Sequence, residues 1–199
     1  KAAARIKETA QGSVTTMNID TSSLASVKRF ASQFLEWLGE DKGLDMLFLN
    51  AGMGFSDPDA KCVPLSVDGI EIVFAGNYLG HHLLYRLVEP ALARAPTARV
   101  VSTSSTASFR TYSYQVATDL ETLNSCSEPF IPVSVIPINY SYGQSKLAQI
   151  VWSKSLTRRL PANSNIYVNS FHPGVVATDI WDKGLASPGI SQWKKDFLY

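Results

Sequence analysis

The sequence predicts an α/β fold built on a doubly wound parallel sheet, in a single domain over residues 1–199. Three observations carry that expectation. Short runs at Leu44 to Leu49, Arg99 to Thr103 and Ile166 to Phe171 read as buried strands, and the first has none of the polar alternation of a strand with one wet face. Between them lie stretches with apolar residues three and four apart, the period of a helix with one buried side. The chain has 199 residues, 45% of them hydrophobic, which suffices for one substantial core.

Taken in order, Ala2-Ala3-Ala4-Arg5-Ile6-Lys7-Glu8 favours a helix, and Gln11-Gly12 closes it. Val14 to Ile19 is expected as a strand of imperfect alternation, with Asp20 at its carboxyl end, the edge where α/β sheets hold ligands. Ser22 or Ser23 caps the clearest helix, which aligns Leu24, Val27, Phe30, Ala31, Phe34, Leu35 and Leu38 and ends at Gly39 or Gly43. The strand from Leu44 leaves through Asn50-Ala51-Gly52, small enough to let backbone approach a ligand. After a polar loop from Phe55 to Pro64, Asp68 to Leu92 reads as a long helix turning Ile70, Phe74, Leu79, Leu83, Leu84 and Leu87 inward. Asn77 interrupts it, although asparagine prefers caps to helix interiors.

The strand Arg99 to Thr103 ends in Ser104 and Ser105. An irregular excursion from Thr106 to Ser141 follows, with one short helix near Asp119 to Leu123. Its Phe109, Tyr112, Tyr114, Phe130, Ile131, Val133, Val135 and Ile136 suit the wall of a pocket for a hydrophobic substrate. Tyr142 opens an apolar-periodic helix through Leu147, Ile150, Val151 and Leu156, ending near Arg158 to Pro161. The last strand exits through His172-Pro173-Gly174, and Trp181 to Tyr199, without periodicity, is expected as a lid.

Eighteen basic and seventeen acidic residues leave a net charge of +1 with no long run of either sign, so nothing points to nucleic acid or an anionic membrane surface. No stretch approaches the roughly 18 uninterrupted apolar residues of a membrane span. Cys62 and Cys126 are too few for a disulfide framework and have no metal-ligand spacing, so a reducing compartment, the cytoplasm, is expected. His81 and His82 are adjacent and point in different directions, and no metal site is expected. The balance suits small-molecule chemistry, for which Tyr142-Gly143-Gln144-Ser145-Lys146 supplies a pair. Tyr142 and Lys146 stand one turn apart on one helix face, and an ammonium beside a phenol favours phenolate, so the pair can exchange a proton with a substrate oxygen.

The ordered set of Leu49-Asn50-Ala51-Gly52, Asn77, the string RVVSTSS from Arg99, YGQSKLA from Tyr142 and HPGVVAT from His172 resembles the short-chain dehydrogenase/reductase family. The strings are most similar to its retinol-dehydrogenase and WW-domain-oxidoreductase branch, over about Ser13 to Asp179. That resemblance implies a Rossmann-type sheet and hydride transfer between NAD or NADP, with NADP slightly favoured, and a hydrophobic alcohol, ketone or aldehyde. It implies Tyr142 as general acid and base, with Lys146 lowering its pKa and holding the ribose hydroxyls. Ser105 would bind the substrate oxygen, and Asn77 would complete a proton relay through a water. It further implies cofactor contacts from Asp20 at the adenine, from Asn50, Ala51 and Gly52, and from Pro173, Gly174, Val176 and Thr178 at the nicotinamide. Asp20 also reads as a capping residue ahead of Ser22. Leu49 stands where the family usually has the first of two asparagines.

No glycine-rich strand-turn-helix motif occurs in these residues, and the family carries that motif upstream of the matching region. By resemblance the strand order is three, two, one, four, five, six, with Val14 to Ile19 as strand three and Leu44 to Leu49 as strand four. The expectation is a Rossmann-type sheet lacking its first strands, with Val14 to Ile19 either unpaired with Leu44 to Leu49 or joined to it by a non-native pairing. Such a chain alone is expected to bind dinucleotide weakly and to be inactive. Two other readings fit the same residues. One is a non-catalytic fragment or pseudoenzyme, associating as a homodimer through the Asn77 and Tyr142 helices; the other is a 3-ketosteroid reductase-like enzyme, whose LNAGM and TSS strings are similar.

Overall fold

Parallel strands have to be bridged by long crossovers, and this chain fills each crossover with helix. The computed structural model describes residues 2–54, 63–110, 116–125 and 140–174. In chain order these form α1 (Ala2–Thr9), α2 (Leu24–Leu38), β1 (Met46–Leu49), α3 (Ile72–Phe74), a π-helical turn (Ala75–Leu79) and α4 (Gly80–Arg94). They continue with β2 (Ala98–Thr103), a 3-10 turn (Thr106–Arg110), α5 (Leu120–Leu123), α6 (Tyr140–Arg159) and β3 (Ile166–Phe171). Cys62, Cys126, most of the apolar residues of the long excursion and Trp181 to Tyr199 lie outside the described residues, as do Val176 and Thr178.

The three strands are parallel, in the order β1-β2-β3, with Leu47 opposite Val100 and Val100 opposite Val168. This is the expected sequence of strands four, five and six. One face of the sheet carries Leu49, Val100 and Val168 into a core shared with Val27 and Ala31 of α2, Leu84, Tyr85, Val88 and Leu92 of α4, and Trp152 and Leu156 of α6. Trp152 meets Tyr85 edge-on, with ring centroids 5.4 Å apart at 73°. The opposite face is open among the described residues: Met46 is 52% exposed, Phe48 63% and Tyr167 57%. The expectation that the Leu44 to Leu49 run is buried on both sides is therefore corrected, because all the described helices in contact with the core share one face.

Val14 to Ile19 also departs from expectation, since it forms no strand. Of the two outcomes anticipated for it, the unpaired one holds. A strand needs a ladder partner for its amides and carbonyls, and no described strand lies beside β1 on its free side. Ile19 instead packs at the margin of the core. The long helix likewise begins four residues later than its apolar pattern suggests. Gly69, at φ +73°, turns the chain, and Leu65 pairs with Glu71 in an isolated antiparallel bridge. Glu71 then caps α3, its two carboxylate oxygens accepting from the Val73 and Phe74 amides at 3.0 and 2.7 Å.

Caps fix the remaining ends. Ser23 is the N-cap of α2, its hydroxyl accepting from the Ser26 amide at 3.3 Å, and Asp68 from the far loop accepts the Leu24 amide at 2.8 Å. Gly39, at φ +83°, closes α2. The Asn165 carboxamide donates to the carbonyls of Leu92 and Ala95 and so anchors the end of α4 to the start of β3. At its other end, α4 presses against the segment before α2 so closely that a Cβ on Gly80 would overlap the Thr21 carbonyl. Gly80→Ala should accordingly lower stability by about 1–3 kcal/mol or more, because backbone on both sides must yield. Urea unfolding of the two chains checks this; equal midpoints would mean that the contact yields freely.

Candidate active site

In an open parallel sheet the carboxyl ends of the strands meet along one edge, and ligands bind there. Here that edge gathers Asn50-Ala51-Gly52 after β1, Ser104 and Ser105 after β2, and Pro173 and Gly174 after β3. Asn77 reaches it from the π turn, and Tyr142 and Lys146 reach it from the first turns of α6.

Lys146 is only 3% exposed. Its Nζ donates to the Thr103 carbonyl at 2.8 Å and lies 5.4 Å from the centroid of the Tyr142 ring. The Ser104 hydroxyl donates to the Lys146 carbonyl at 2.7 Å, locking the exit of β2 to this turn of α6. Burial disfavours the ammonium and holds it down at about 8. Gly52 sits beside it, since a Cβ there would stand 3.4 Å from the Lys146 Nζ and 3.5 Å from Asn77 Oδ1.

Tyr142 shares a side-chain hydrogen bond with Ser105. Burial raises its phenol above the ordinary value, and the Ser105 hydroxyl pulls it part of the way back. The lowering expected from Lys146 is thus not what governs Tyr142 in this arrangement, because the ammonium is turned toward Thr103. Ser105 in turn accepts the Ala107 amide at 3.2 Å, which orients its hydroxyl above the start of the 3-10 turn.

Asn77 is fully buried, and its carboxamide is committed to protein groups. Oδ1 accepts from the Met53 amide at 2.8 Å, while Nδ2 donates to the Met53 carbonyl at 2.9 Å and to Ser145 Oγ at 3.1 Å. Ser145 donates to the Tyr142 carbonyl at 2.8 Å. One side chain thereby joins the turn after β1 to the turn of α6 that carries Tyr142.

The expected cofactor residues fall into three groups. Asn50 accepts the Thr103 hydroxyl at 2.8 Å, so it ties β1 to β2, while Leu49, in the place of a family asparagine, is core at 1% exposed. Pro173 and Gly174 are exposed at the edge, Gly174 with φ +85°. Asp20 is not gathered with the Tyr142 cluster. Its Oδ1 accepts the Ser22 amide at 2.9 Å and the Ser22 hydroxyl at 2.7 Å, so it acts as a turn and capping residue ahead of α2.

Pattern reading missed Met53, Ser104, Ser145 and Gln149. The apolar stripe expected to bury α6 is only partly inside: Leu156 is buried, Leu147 and Ile150 are half-buried, and Val151 is 53% exposed. The buried residues include Gln144, Ser145, Lys146, Gln149 and Ser153. Gln144 accepts the Ala117 amide at 2.7 Å and so fastens the excursion to α6. Buried amides and hydroxyls at helical spacing were the available signal. They are tolerated because Ser145 and Gln149 bond Asn77 in the π turn, Ser153 donates to the Gln149 carbonyl of its own helix, and Lys146 and Gln144 reach the strand exit and the excursion.

A family model described as short chain dehydrogenase matches residues 1–117, more than half of the chain. The chain belongs to the short-chain dehydrogenase family. Among curated members it is 36% identical over 169 residues to retinol dehydrogenase 14 of Mus musculus, covering 85% of this chain and 44% of that protein. It is 35% identical over 175 residues to the short-chain dehydrogenase TIC 32 A, chloroplastic, of Brassica napus, covering 83% of this chain and 48% of that one. The chain therefore spans about half the length of these short-chain dehydrogenases. Among solved structures, the Pseudomonas aeruginosa RhlG/NADP active-site complex superposes with a TM-score of 0.63 at 25% identity, over 94% of this chain and 62% of that one. A short-chain dehydrogenase from Burkholderia phymatum in complex with NAD has a TM-score of 0.61 at 24% identity, covering 94% and 58%, and supports the fold. The sheet order and the exits of its strands are those of a Rossmann-type domain. No described helix is long and apolar enough to cross a membrane.

The buried lysine makes a measurable signature. Folded Lys146 releases its proton near pH 8, whereas the unfolded chain keeps it to 10.5, so between these values the unfolded state binds more protons and stability rises with pH. The raised Tyr142 and Tyr78 phenols oppose this only above about pH 10. Denaturation midpoints should climb from pH 8 to 10, by up to about 3 kcal/mol in free energy, and Lys146→Met should flatten the climb. An unchanged slope in that variant would locate the proton elsewhere.

Proposed function

We propose that these residues form the substrate and nicotinamide side of an oxidoreductase that moves hydride between NAD or NADP and a hydrophobic alcohol, ketone or aldehyde. The observation that carries the proposal is the Tyr142–Ser105 hydrogen bond beside buried Lys146, at the carboxyl edge of the strands. A cradle for the nicotinamide end suits this edge: Gly52 leaves room beside Nζ, and Asn50, Ala51, Pro173 and Gly174 are small or narrow residues at the strand exits. The 199 residues contain no glycine-rich turn for the pyrophosphate.

When bound, the nicotinamide supplies or accepts the hydride. Ser105 orients the substrate oxygen by hydrogen bond, and Tyr142 gives that oxygen a proton in reduction or takes one in oxidation. A raised phenol pKa keeps Tyr142 protonated at neutral pH, which suits it as a donor. Lys146, still largely charged at neutral pH with a pKa of about 8, offers its ammonium to the ribose hydroxyls and to phenolate once it swings from the Thr103 carbonyl. Asn77 serves as the brace that keeps the Gly52 turn and α6 in register. The resemblance to retinol dehydrogenases and the apolar residues of the excursion support a hydrophobic substrate.

In an active enzyme that contains these residues together with a glycine-rich dinucleotide-binding segment, Tyr142→Phe should cut turnover by about a hundredfold or more while cofactor affinity stays within a few-fold. Steady-state kinetics and fluorescence titration of reduced cofactor provide the test. Turnover within about tenfold of the parent would remove Tyr142 from the role of acid and base.

A further inference from the structure

Asn77 can hold the turn after β1 only if its own backbone is held, and it lies in the least regular part of its helix. There the Gly80 amide reaches back five residues to Ala75, instead of the four of an α-helix. The fastening comes from α6. Gln149 Nε2 donates to the Asn77 carbonyl at 2.7 Å, between residues that are 1% and 0% exposed. Gln149 is three residues beyond Lys146 on the same helix. A hydrophobic side chain there would pack as well and would remove the donor from a buried carbonyl.

The amide is kept at some cost. Its Oε1 is buried without a hydrogen-bond partner among the described residues, as is Nδ1 of His81, one turn beyond Asn77. His81 also lies close enough to Lys146 and to the Asn77 carbonyl to feel both, and with burial foremost its imidazole stays neutral. A glutamine in such a place, half satisfied, fits a positional task better than a packing one.

We infer that Gln149 is a positioning residue: by fixing the Asn77 carbonyl from α6, it sets the Asn77 carboxamide on Met53 and Ser145 and so holds the Gly52 turn against Lys146. Its part in catalysis rests on the oxidoreductase reading above, whereas the brace itself does not. The test is amide hydrogen exchange in the folded chain. Gln149→Met keeps the bulk and deletes the donor, and it should speed exchange at the Met53 amide by tenfold or more beyond any change at the Val100 strand amide. Equal acceleration at both sites, the mark of a general loss of stability, would overturn the inference.

Should that variant not fold, the parent chain decides. One proton of the Gln149 carboxamide should then exchange with solvent at least tenfold more slowly than those of exposed Gln33, and equal rates would overturn the hydrogen bond. In an active enzyme containing these residues, Gln149→Met should lower kcat more than it raises KM. Loss of Met53 protection with kcat unchanged would overturn the catalytic part and leave the oxidoreductase reading to stand on Tyr142.

Discussion

A buried carboxamide joins the pieces on which the candidate site depends. Asn77 uses both edges of its side chain on the Met53 peptide, its second amide proton on Ser145, and its backbone carbonyl on Gln149. Three segments far apart in sequence are thereby fixed at one point: the turn after β1, the π turn before α4 and the first turns of α6. A polar group this deep is stable only when its donors and acceptors are met, so the geometry has few alternatives. The irregular helix at Ala75–Leu79 is part of the same arrangement, since it places a residue unsuited to helix interiors where three segments converge.

The sheet around this node is built asymmetrically. Helices α2, α4 and α6 contribute to one core on one face, and aromatic contacts from Tyr85 and His82 to Trp152 bind α4 to α6. On the other face Met46, Phe48, Tyr167 and Phe171 are exposed, and β1 has no described neighbour beyond it. A Rossmann-type sheet is ordinarily covered on both faces, and the chain spans about half the length of its curated relatives. The open face and the unpaired Val14 to Ile19 segment are two expressions of one fact: the described residues supply neither a second helical layer nor a further strand.

Electrostatics in the site are set by burial more than by charge pairs. Lys146 and His81 are both held toward their neutral forms by desolvation, and Glu71 and Tyr142 likewise. The groups differ in what offsets that cost. Glu71 has the Val73 and Phe74 amides, Tyr142 has Ser105, and Lys146 has the Thr103 carbonyl. Lys146, at about 8, can therefore exchange a proton near neutral pH, and the Ser105 hydroxyl is what draws the Tyr142 phenol back toward its ordinary value.

Sequence by itself determined the α/β class, the α2 helix with its start narrowed to Ser22 or Ser23 and its end to Gly39 or Gly43, the three parallel strands and the small set of residues at their carboxyl edge. These follow from local rules, because caps, turn glycines and apolar period act within a few residues of where they are read. Asn77, a polar interruption of an apolar helix, and the Tyr142–Lys146 pair, one turn apart, stood out by the same local reading, whereas Ser105 and the roles given to all four came from the resemblance to the family. Tertiary structure alone decided what those residues touch. Whether Val14 to Ile19 pairs depends on a neighbouring strand, not on its own side chains. The polar side of α6 is buried because Asn77, Ala117 and the Ser104 hydroxyl meet it there, and the roles of Met53, Ser145 and Gln149 exist only through hydrogen bonds to partners dozens of residues away or across a helical turn. Periodicity records which face of a helix is apolar, whereas burial is settled by the groups that the rest of the chain brings against it.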